Sequence, residues 1–263
     1  MRVNKLKIAA AESRPIINGW LAIPSSYSAE IMGHQGYDAV TVDLQHGMID
    51  FASALTMLQA ISATPAVPLV RVADSTPAQI MRVLDAGAYG IICPMVSTPE
   101  QARRFVSACR YPPEGIRSFG PARGLLYGGA DYPQHANREI LTLAMIETRE
   151  GLANIDAILD TDGLDGVFIG PNDLSLTLTG AASAESAHPE MLNAIERVVS
   201  RCRQKQKIAG IFCTSGQAAA SRIAQGFQFV TPANDVMLLW RASREAIALA
   251  RGHQIPSTGA SGY

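Results

Sequence analysis

The chain has few of the residues on which several large classes of enzyme depend. Only four of its 263 residues are lysine, and none closes a predicted strand at the expected active rim, so a Schiff-base mechanism is disfavoured. No G-x-S-x-G sequence occurs, and an acyl-enzyme hydrolase is therefore unsupported. The four cysteines form no C-x-x-C pair, and we predict that they are reduced packing residues. The lack of a lysine at the rim favours activation of a carbonyl group by a metal rather than by an amine.

Charge and long apolar runs are also scarce. With 22 basic and 23 acidic residues the net charge is −1, and no basic cluster indicates binding to nucleic acid or to an anionic membrane. No apolar run approaches the ~18 residues that a membrane span needs, and the N-terminus lacks the apolar core of a signal peptide. We therefore predict a cytoplasmic protein with a small-molecule ligand.

Length and patterning together predict the fold. The 48% hydrophobic content fits one large domain over residues 1–253, followed by a disordered tail at 254–263. Short β-branched runs alternate with longer amphipathic segments, as in consecutive βα units. The predicted strands are Asn18–Ile23, Ala39–Asp43, Val67–Val72, Gly90–Pro94, Leu141–Glu147, Gly166–Gly170, Ile208–Phe212 and Phe227–Val230. The predicted helices are Tyr27–His34, Asp50–Ser62, Thr76–Gly87, Thr98–Cys109, Arg149–Leu159, Pro189–Gln206, Ser215–Gln225 and Asp235–Arg251.

Eight such units predict a closed (β/α)₈ TIM barrel in the α/β class. An open doubly wound sheet is the competing arrangement, but the Gly-rich G-x-G-x-x-G turn that usually accompanies it is missing. The longest interruption, Arg110–Arg138, is rich in Gly, Pro and Tyr. Such a loop is usually functional, although a solvated excursion with a short helix would have the same composition.

Polar residues that close the predicted strands are the candidates for chemistry, because active sites of such barrels lie at the carboxyl ends of the strands. Asp43 and His46 follow the second strand, Arg71 ends the third, and Glu147 and Asp173 follow the fifth and sixth. Two carboxylates converging at one rim are suited to a hard divalent cation. Taken singly, each carboxylate could instead cap the helix that follows it.

Histidine and arginine complete this predicted set. His46 lies three residues after Asp43, so one ring N–H could be held by that carboxylate while the other nitrogen carries a proton. Arg71 offers a fixed positive charge with a planar fork that suits a carboxylate or a developing enolate. An ion pair between Arg71 and Asp43 is the structural alternative, and both roles are compatible.

Weaker candidates surround this set. The turn Gly170-Pro171-Asn172-Asp173 could present backbone amides to a substrate carboxylate, although an ordinary capped turn is equally consistent. Trp20 and Phe212 close strands and could form pocket walls. Asp85, near the end of a predicted helix, has the pattern of a surface carboxylate.

Six short strings together resemble one enzyme family, the HpcH/HpaI aldolases, over the range from about Trp20 to about Leu239. The strings are Val42-Asp-Leu-Gln-His-Gly47, Leu69-Val-Arg71, Ile92-Cys-Pro-Met-Val96, Cys109-Arg-Tyr-Pro-Pro-Glu-Gly-Ile-Arg117, Met145-Ile-Glu147 and Asp165-Gly-Val-Phe-Ile-Gly-Pro-Asn-Asp173.

The resemblance implies a class II, pyruvate-type aldolase on a (β/α)₈ barrel. It implies that Glu147 and Asp173 hold Mg²⁺, Mn²⁺ or Co²⁺, and that Arg71 binds the keto oxygen and stabilises the enolate. It further implies that His46, oriented by Asp43, performs acid/base chemistry. The family is commonly hexameric with a helix exchanged between subunits, and the resemblance places Asp85 at a neighbouring active site.

The chain departs from the family pattern at two positions. Gln45 stands where many members have glutamate, in the pattern Asp-x-Glu-His, and this removes one charge near the metal. Asn172 replaces the small residue often found before the metal-binding aspartate, which could alter the pocket for the aldehyde.

From the residues and the resemblance we predict a metal-dependent carbon–carbon lyase. It would reversibly cleave a 4-hydroxy-2-oxo acid, through a metal-stabilised enolate, into pyruvate or a related 2-oxo acid and an aldehyde. The alternatives are a decarboxylase of oxaloacetate type, which uses the same enolate, and a non-catalytic barrel that binds an oxo acid. Carbon dioxide release without aldehyde, or tight binding without turnover, would distinguish them.

Overall fold

The computed structural model describes residues 1–253, in which eight parallel strands follow one another along the chain. They are β1 (Ile16–Leu21), β2 (Ala39–Asp43), β3 (Val67–Arg71), β4 (Gly90–Cys93), β5 (Leu141–Ile146), β6 (Gly166–Ile169), β7 (Ile208–Phe212) and β8 (Phe229–Thr231). The predicted tail at 254–263 lies outside the described residues.

Helices separate the strands and surround them. They are α1 (Lys5–Ala11), α2 (Ser26–Gly33), α3 (Phe51–Ser62), α4 (Pro77–Asp85), α5 (Pro99–Cys109), α6 (Arg123–Gly128), α7 (Tyr132–Glu139), α8 (Arg149–Ala153), α9 (Ile155–Leu159), α10 (Pro171–Thr179), α11 (Pro189–Gln204), α12 (Gly216–Gln225) and α13 (Asp235–Ala250). No helix in residues 1–253 is long and apolar enough to cross a membrane.

The sheet closes on itself, because each strand pairs with the next and β8 pairs with β1 through Ile16↔Phe229 and Ile17↔Val230. This confirms the predicted (β/α)₈ barrel and excludes the open sheet. The strands are buried along nearly their whole length, since helices cover the outer face and side chains fill the interior. Continuous β-branched runs, rather than alternating ones, are the expected sequence of such strands.

The barrel interior contains both polar and aromatic layers. Asn18 donates to Thr231 Oγ1 at 2.9 Å and accepts from Thr41 Oγ1 at 2.9 Å, so the polar groups of this layer satisfy one another. Phe168 stacks on Trp20 with ring centroids 5.6 Å apart. This filled interior forms the floor on which the active-site pocket rests.

Several helix starts agree with the sequence. The side chains of Ser25, Asp50, Thr98 and Ser215 each accept a hydrogen bond from a backbone amide in the first turn of the following helix. The cysteines also agree, since all four are free and buried. Burial raises the pKa of Cys109 to about 12, consistent with a packing role.

Other boundaries were predicted wrongly. β1 begins and ends two residues before the predicted span, and β8 begins two residues after it. The single helix predicted over 149–159 is two short helices that meet at Asn154, whose side chain donates to the backbone oxygen of Ser97. The long 110–138 interruption contains α6 and α7, and α10 follows β6 directly.

The N-terminal helix α1 was not predicted, because it is short and has no strong periodicity. Asn4 caps it and anchors it at the amino-terminal end of the barrel. The side-chain Nδ2 of Asn4 donates to the backbone oxygens of Tyr89 at 3.0 Å and Glu139 at 2.8 Å. These contacts depend on tertiary structure.

Candidate active site

A pocket of about 700 Å³ opens at the carboxyl ends of the strands. It has the size usual for a small-molecule site. Its lining residues are Trp20, His46, Arg71, Met145, Phe168, Gly170, Pro171, Asn172, Asp173, Ala182, Ser183, Ala184 and Phe212. Most of the predicted site residues therefore meet at one place.

Asp43 and Arg71 form a buried ion pair at this rim. They are paired residues of β2 and β3, so the sheet register places them side by side. Arg71 Nε donates to Asp43 Oδ1 at 2.8 Å and Nη2 donates to Oδ2 at 2.5 Å. This two-point contact fixes the plane of the guanidinium group.

Five N–H groups from four residues, Trp20, Gln45, His46 and Arg71, donate to the Asp43 carboxylate. Burial alone would raise its pKa, but Arg71, the Gln45 amide and Trp20 together hold the pKa below its usual value. Asp43 therefore stays ionised and keeps Arg71 paired. The ion pair with Arg71, the structural alternative, is therefore present, and a catalytic role for Asp43 stays a prediction.

Trp20 contacts both members of the Asp43–Arg71 ion pair. Its Nε1 donates to Asp43 Oδ2 at 3.2 Å, and the Arg71 guanidinium carbon lies 4.8 Å from its ring centroid. The Trp20 ring also contacts Phe212 edge-on, with centroids 5.7 Å apart. Trp20 and Phe212 are thus pocket residues, as predicted, and Trp20 in addition orients the ion pair.

His46 is exposed at the pocket, in the tight turn that follows β2. Its backbone N–H donates to Asp43 Oδ1 at 3.2 Å, beside the Gln45 N–H at 3.0 Å. Gly47 allows this turn, because a Cβ there would lie 2.3 Å from the Asp43 carbonyl oxygen. Asp43 therefore fixes the backbone that carries His46, and an acid/base role for the ring remains a prediction.

Glu147 directly follows β5 and is buried between Met95, which follows β4, and Gly170, which follows β6. The Met95 N–H donates to its Oε1 at 2.6 Å, and the bare Cα of Gly170 leaves room for Oε2. Burial, opposed by the Met95 amide and assisted by the charge of Asp173, raises the pKa of Glu147 to about 7. Met95 holds this position with a positive φ of 57°, a backbone conformation rare for a residue with a side chain.

A divalent cation fits the donor set at Glu147 and Asp173. Asp173 lies in the first turn of α10, close enough for its charge to raise the pKa of Glu147. Two nearby carboxylates, one buried, are unfavourable without a positive charge, and hard cations prefer such oxygens. Within residues 1–253 no third His, Cys, Asp or Glu joins them, so further ligands would come from water or substrate.

Gln45 adds no charge to this set. Its Oε1 is buried without a hydrogen-bond partner among residues 1–253, while its backbone N–H serves Asp43. Gln45 therefore contributes no charge beside the carboxylates of Asp43, Glu147 and Asp173.

Asp85 lies apart from the pocket. It ends α4, and helices of a βα unit return towards the amino-terminal end of the barrel. Its Oδ1 accepts from the buried Arg117 at 2.8 Å, and burial raises its pKa in spite of that partner. The surface carboxylate expected from the local pattern is thus wrong, since Asp85 is partly buried, and a role at a neighbouring active site remains a prediction.

The sequence did not reveal several of the pocket residues. Met145 and Phe168 face inward from β5 and β6, and their position follows only from the barrel register. Residues 182–184 come from a loop without a recognisable motif. The Met95 amide is a backbone group, which no side-chain pattern can indicate.

Comparison with known proteins agrees with this geometry. The sequence model of the family described as HpcH/HpaI aldolase/citrate lyase matches residues 17–242. The chain belongs to the HpcH/HpaI aldolase family. The prediction of an aldolase, a carbon–carbon lyase, is thereby confirmed.

Individual relatives match over almost their whole length. A hydroxypyruvate/pyruvate aldolase of Rhizorhabdus wittichii is 47% identical over 249 residues, which are 95% of this chain and 99% of the relative. A 4-hydroxy-2-oxo-heptane-1,7-dioate aldolase of Escherichia coli is 41% identical, covering 95% and 96%. The crystal structure of a family member from Burkholderia cenocepacia has a TM-score of 0.89 and 32% identity, covering 95% and 100%.

Proposed function

We propose that this aldolase is divalent-metal-dependent and interconverts 4-hydroxy-2-oxo acids with an aldehyde and pyruvate or a related 2-oxo acid such as hydroxypyruvate. The observation that carries the proposal is that a fixed Arg71, Asp173 and an exposed His46 line one pocket. Glu147 lies beside it, close enough for the charges of Asp173 and Arg71 to act on its pKa. The two aldolase relatives, named for hydroxypyruvate/pyruvate and for 4-hydroxy-2-oxo-heptane-1,7-dioate, support this class of substrate.

Arg71 binds the 2-oxo acid. Two of its nitrogens are held by Asp43, so the guanidinium keeps its orientation and directs its remaining N–H groups into the pocket. It donates to the keto oxygen and stabilises the negative charge that develops there when the C3–C4 bond breaks. Since Asp43 and Trp20 fix the group beforehand, little reorganisation is needed during the reaction.

Glu147 and Asp173 hold the cation. When bound, Mg²⁺, Mn²⁺ or Co²⁺ acts as a Lewis acid on the 2-oxo acid and favours the enolate. The Met95 amide fixes one oxygen of Glu147 and leaves the other directed towards Gly170. The amides at the start of α10 would receive the substrate carboxylate.

His46 moves the proton. In the cleavage direction a nitrogen of its ring takes the proton from the 4-hydroxyl group as the aldehyde forms, and returns it in the synthetic direction. Its exposure at the pocket gives it access to solvent, with which it exchanges that proton.

The carboxylate pair provides the direct test. Replacing Glu147 or Asp173 by Ala should abolish metal-dependent cleavage and weaken Mn²⁺ binding, measured by calorimetry. Glu150→Ala, an exposed residue on α8, is the matched control and should change neither. Undiminished cleavage and Mn²⁺ binding in both site variants would refute the metal assignment.

We infer also that the protein works as a homo-oligomer, and a hexamer is the expected form. Of the sixteen residues of α13, Asp235 and Ala248 are buried, whereas Leu239, Trp240 and Leu249 are exposed by 61%, 43% and 59%. A helix that keeps its apolar side chains exposed supports a partner surface. Light scattering after size exclusion tests this, and a monomer at micromolar concentration would contradict it.

A further inference from the structure

The loop 180–188, between α10 and α11, forms part of the pocket wall. Its residues Ala182, Ser183 and Ala184 line the cavity, and all its side chains before Glu185 are small. A loop of this composition cannot pack against itself, so polar contacts with other elements must determine its position.

The two ends of the loop are held by local hydrogen bonds. At the first end, the hydroxyls of Ser175 and Thr179 donate to the Ala181 carbonyl oxygen at 2.8 and 3.3 Å. At the second end, Ser186 Oγ accepts from the His188 N–H at 3.2 Å, directly before α11. These contacts are local and leave the middle of the loop to be fixed by something else.

Glu185 supplies a contact across the rim. Its Oε1 accepts from both the backbone N–H and the hydroxyl of Thr214, at 3.2 and 3.1 Å, in the segment between β7 and α12. Its Oε2 lies 3.9 Å from Nη2 of Arg222, whose side chain is only 10% exposed. The Glu185 side chain is itself 36% exposed, so this ion pair is weak, and the two bonds from Thr214 carry the contact.

We infer that Glu185 is a positioning residue, which we call the latch. It holds loop 180–188 in place as the pocket wall that contacts the aldehyde, and it thereby controls binding of the aldehyde. Thr214 comes two residues after Phe212, so the latch joins the loop to the strand that carries another wall residue. Arg71 and Glu147 are fixed by Asp43 and by Met95, contacts that do not involve the loop. Release of the latch should therefore disturb the aldehyde more than the 2-oxo acid.

This inference rests on the proposed aldolase function, and its test includes a measurement that does not. Glu185→Ala and Thr214→Val remove latch bonds, whereas Glu185→Gln keeps an acceptor oxygen for Thr214. Glu196→Ala, an exposed carboxylate on α11, is the matched control. Hydrogen–deuterium exchange of the 180–188 peptide is measured for each metal-loaded variant, together with the KM for an aldehyde and the rate of pyruvate methyl-proton exchange.

We expect Glu185→Ala to speed amide exchange in 180–188 and to raise the aldehyde KM by about fivefold or more, the equivalent of losing one hydrogen bond. Pyruvate proton exchange, which needs no aldehyde, should stay within about twofold of the wild type, and Glu185→Gln should recover part of the KM. Glu196→Ala should match the wild type in every measurement.

Two results would overturn the latch. Unchanged amide exchange in Glu185→Ala would show that the loop is held by other contacts. A rise in the aldehyde KM that is matched by an equal fall in the rate of pyruvate proton exchange would show a general structural effect. If the wild type neither exchanges pyruvate protons nor cleaves any 4-hydroxy-2-oxo acid, the proposed function fails, and amide exchange alone then decides whether Glu185 holds the loop.

Discussion

Gly170 provides a sharp test of how the carboxylate pair is built. A Cβ at this position would lie 2.3 Å from Glu147 Oε2 and 3.0 Å from the end of the Met145 side chain. An ordinary contact needs roughly 1 Å more than the shorter distance. Because the Met95 amide holds Oε1 at 2.6 Å, Glu147 can make room only by turning Oε2 away or by losing that bond.

Gly170→Ala should therefore weaken the cation site without removing either carboxylate. Changing a residue that orients a metal ligand typically weakens metal binding about 10- to 100-fold. Calorimetric titration with Mn²⁺ measures the affinity, and thermal unfolding of the metal-free protein shows whether the fold is kept. Gly216→Ala is the matched control, since a Cβ there meets nothing within 4 Å at the start of α12.

Equal Mn²⁺ affinities in Gly170→Ala, Gly216→Ala and the wild type would refute this account of Glu147. A loss of affinity with unchanged thermal stability would support it most clearly. The φ of Gly170 is −88°, so alanine adopts the backbone without strain and the effect is confined to the side chain.

Three further outcomes are expected. His46→Asn should leave Mn²⁺ affinity unchanged while slowing cleavage by about 10²- to 10⁴-fold, and an unimpaired cleavage rate would exclude acid/base chemistry by His46. Trp20→Phe removes the 3.2 Å bond to Asp43, so steady-state kinetics should show a lower kcat/KM, by about fivefold; an unchanged value would mean that Arg71 is held without Trp20. Because the pKa of Glu147 is raised from 4.5 to about 7, metal-free protein should lose unfolding free energy as pH rises from 4.5 to 8. Denaturant titration should show that the wild type loses at most about 3 kcal/mol of unfolding free energy over this range relative to Glu147→Gln. The prediction is wrong if the unfolding free energies of the two proteins change with pH in parallel.

Polar residues at the ends of buried strands were sufficient to predict the centre of the site. A barrel brings the carboxyl ends of its strands to one rim. Asp43, Arg71, Glu147 and Asp173 each end or follow a strand, so all four lie at that rim. Their roles were harder to assign. The Asp43 carboxylate accepts hydrogen bonds from the Arg71 guanidinium and from the backbone N–H of His46, and the second bond depends on the turn at Gly47.

Features that depend on tertiary contacts were not predictable. The capping contacts of α1 join Asn4 to residues far along the chain, and nothing near residue 4 indicates them. The Met95 amide acts on Glu147 because of a backbone conformation that its side chain disfavours. The wall at 182–184 consists of alanine and serine, which resemble any solvated loop.

Enolate formation from a 2-oxo acid in this pocket, with the help of a divalent cation, is the step from which the proposed aldolase chemistry follows. Exchange of the pyruvate methyl protons with deuterated water, followed by NMR with Mg²⁺ and again after EDTA, tests it without knowledge of the aldehyde. We expect exchange that requires the metal and is lost in Glu147→Ala. Exchange that persists after EDTA, or that never occurs with pyruvate or hydroxypyruvate at saturating metal, would contradict it.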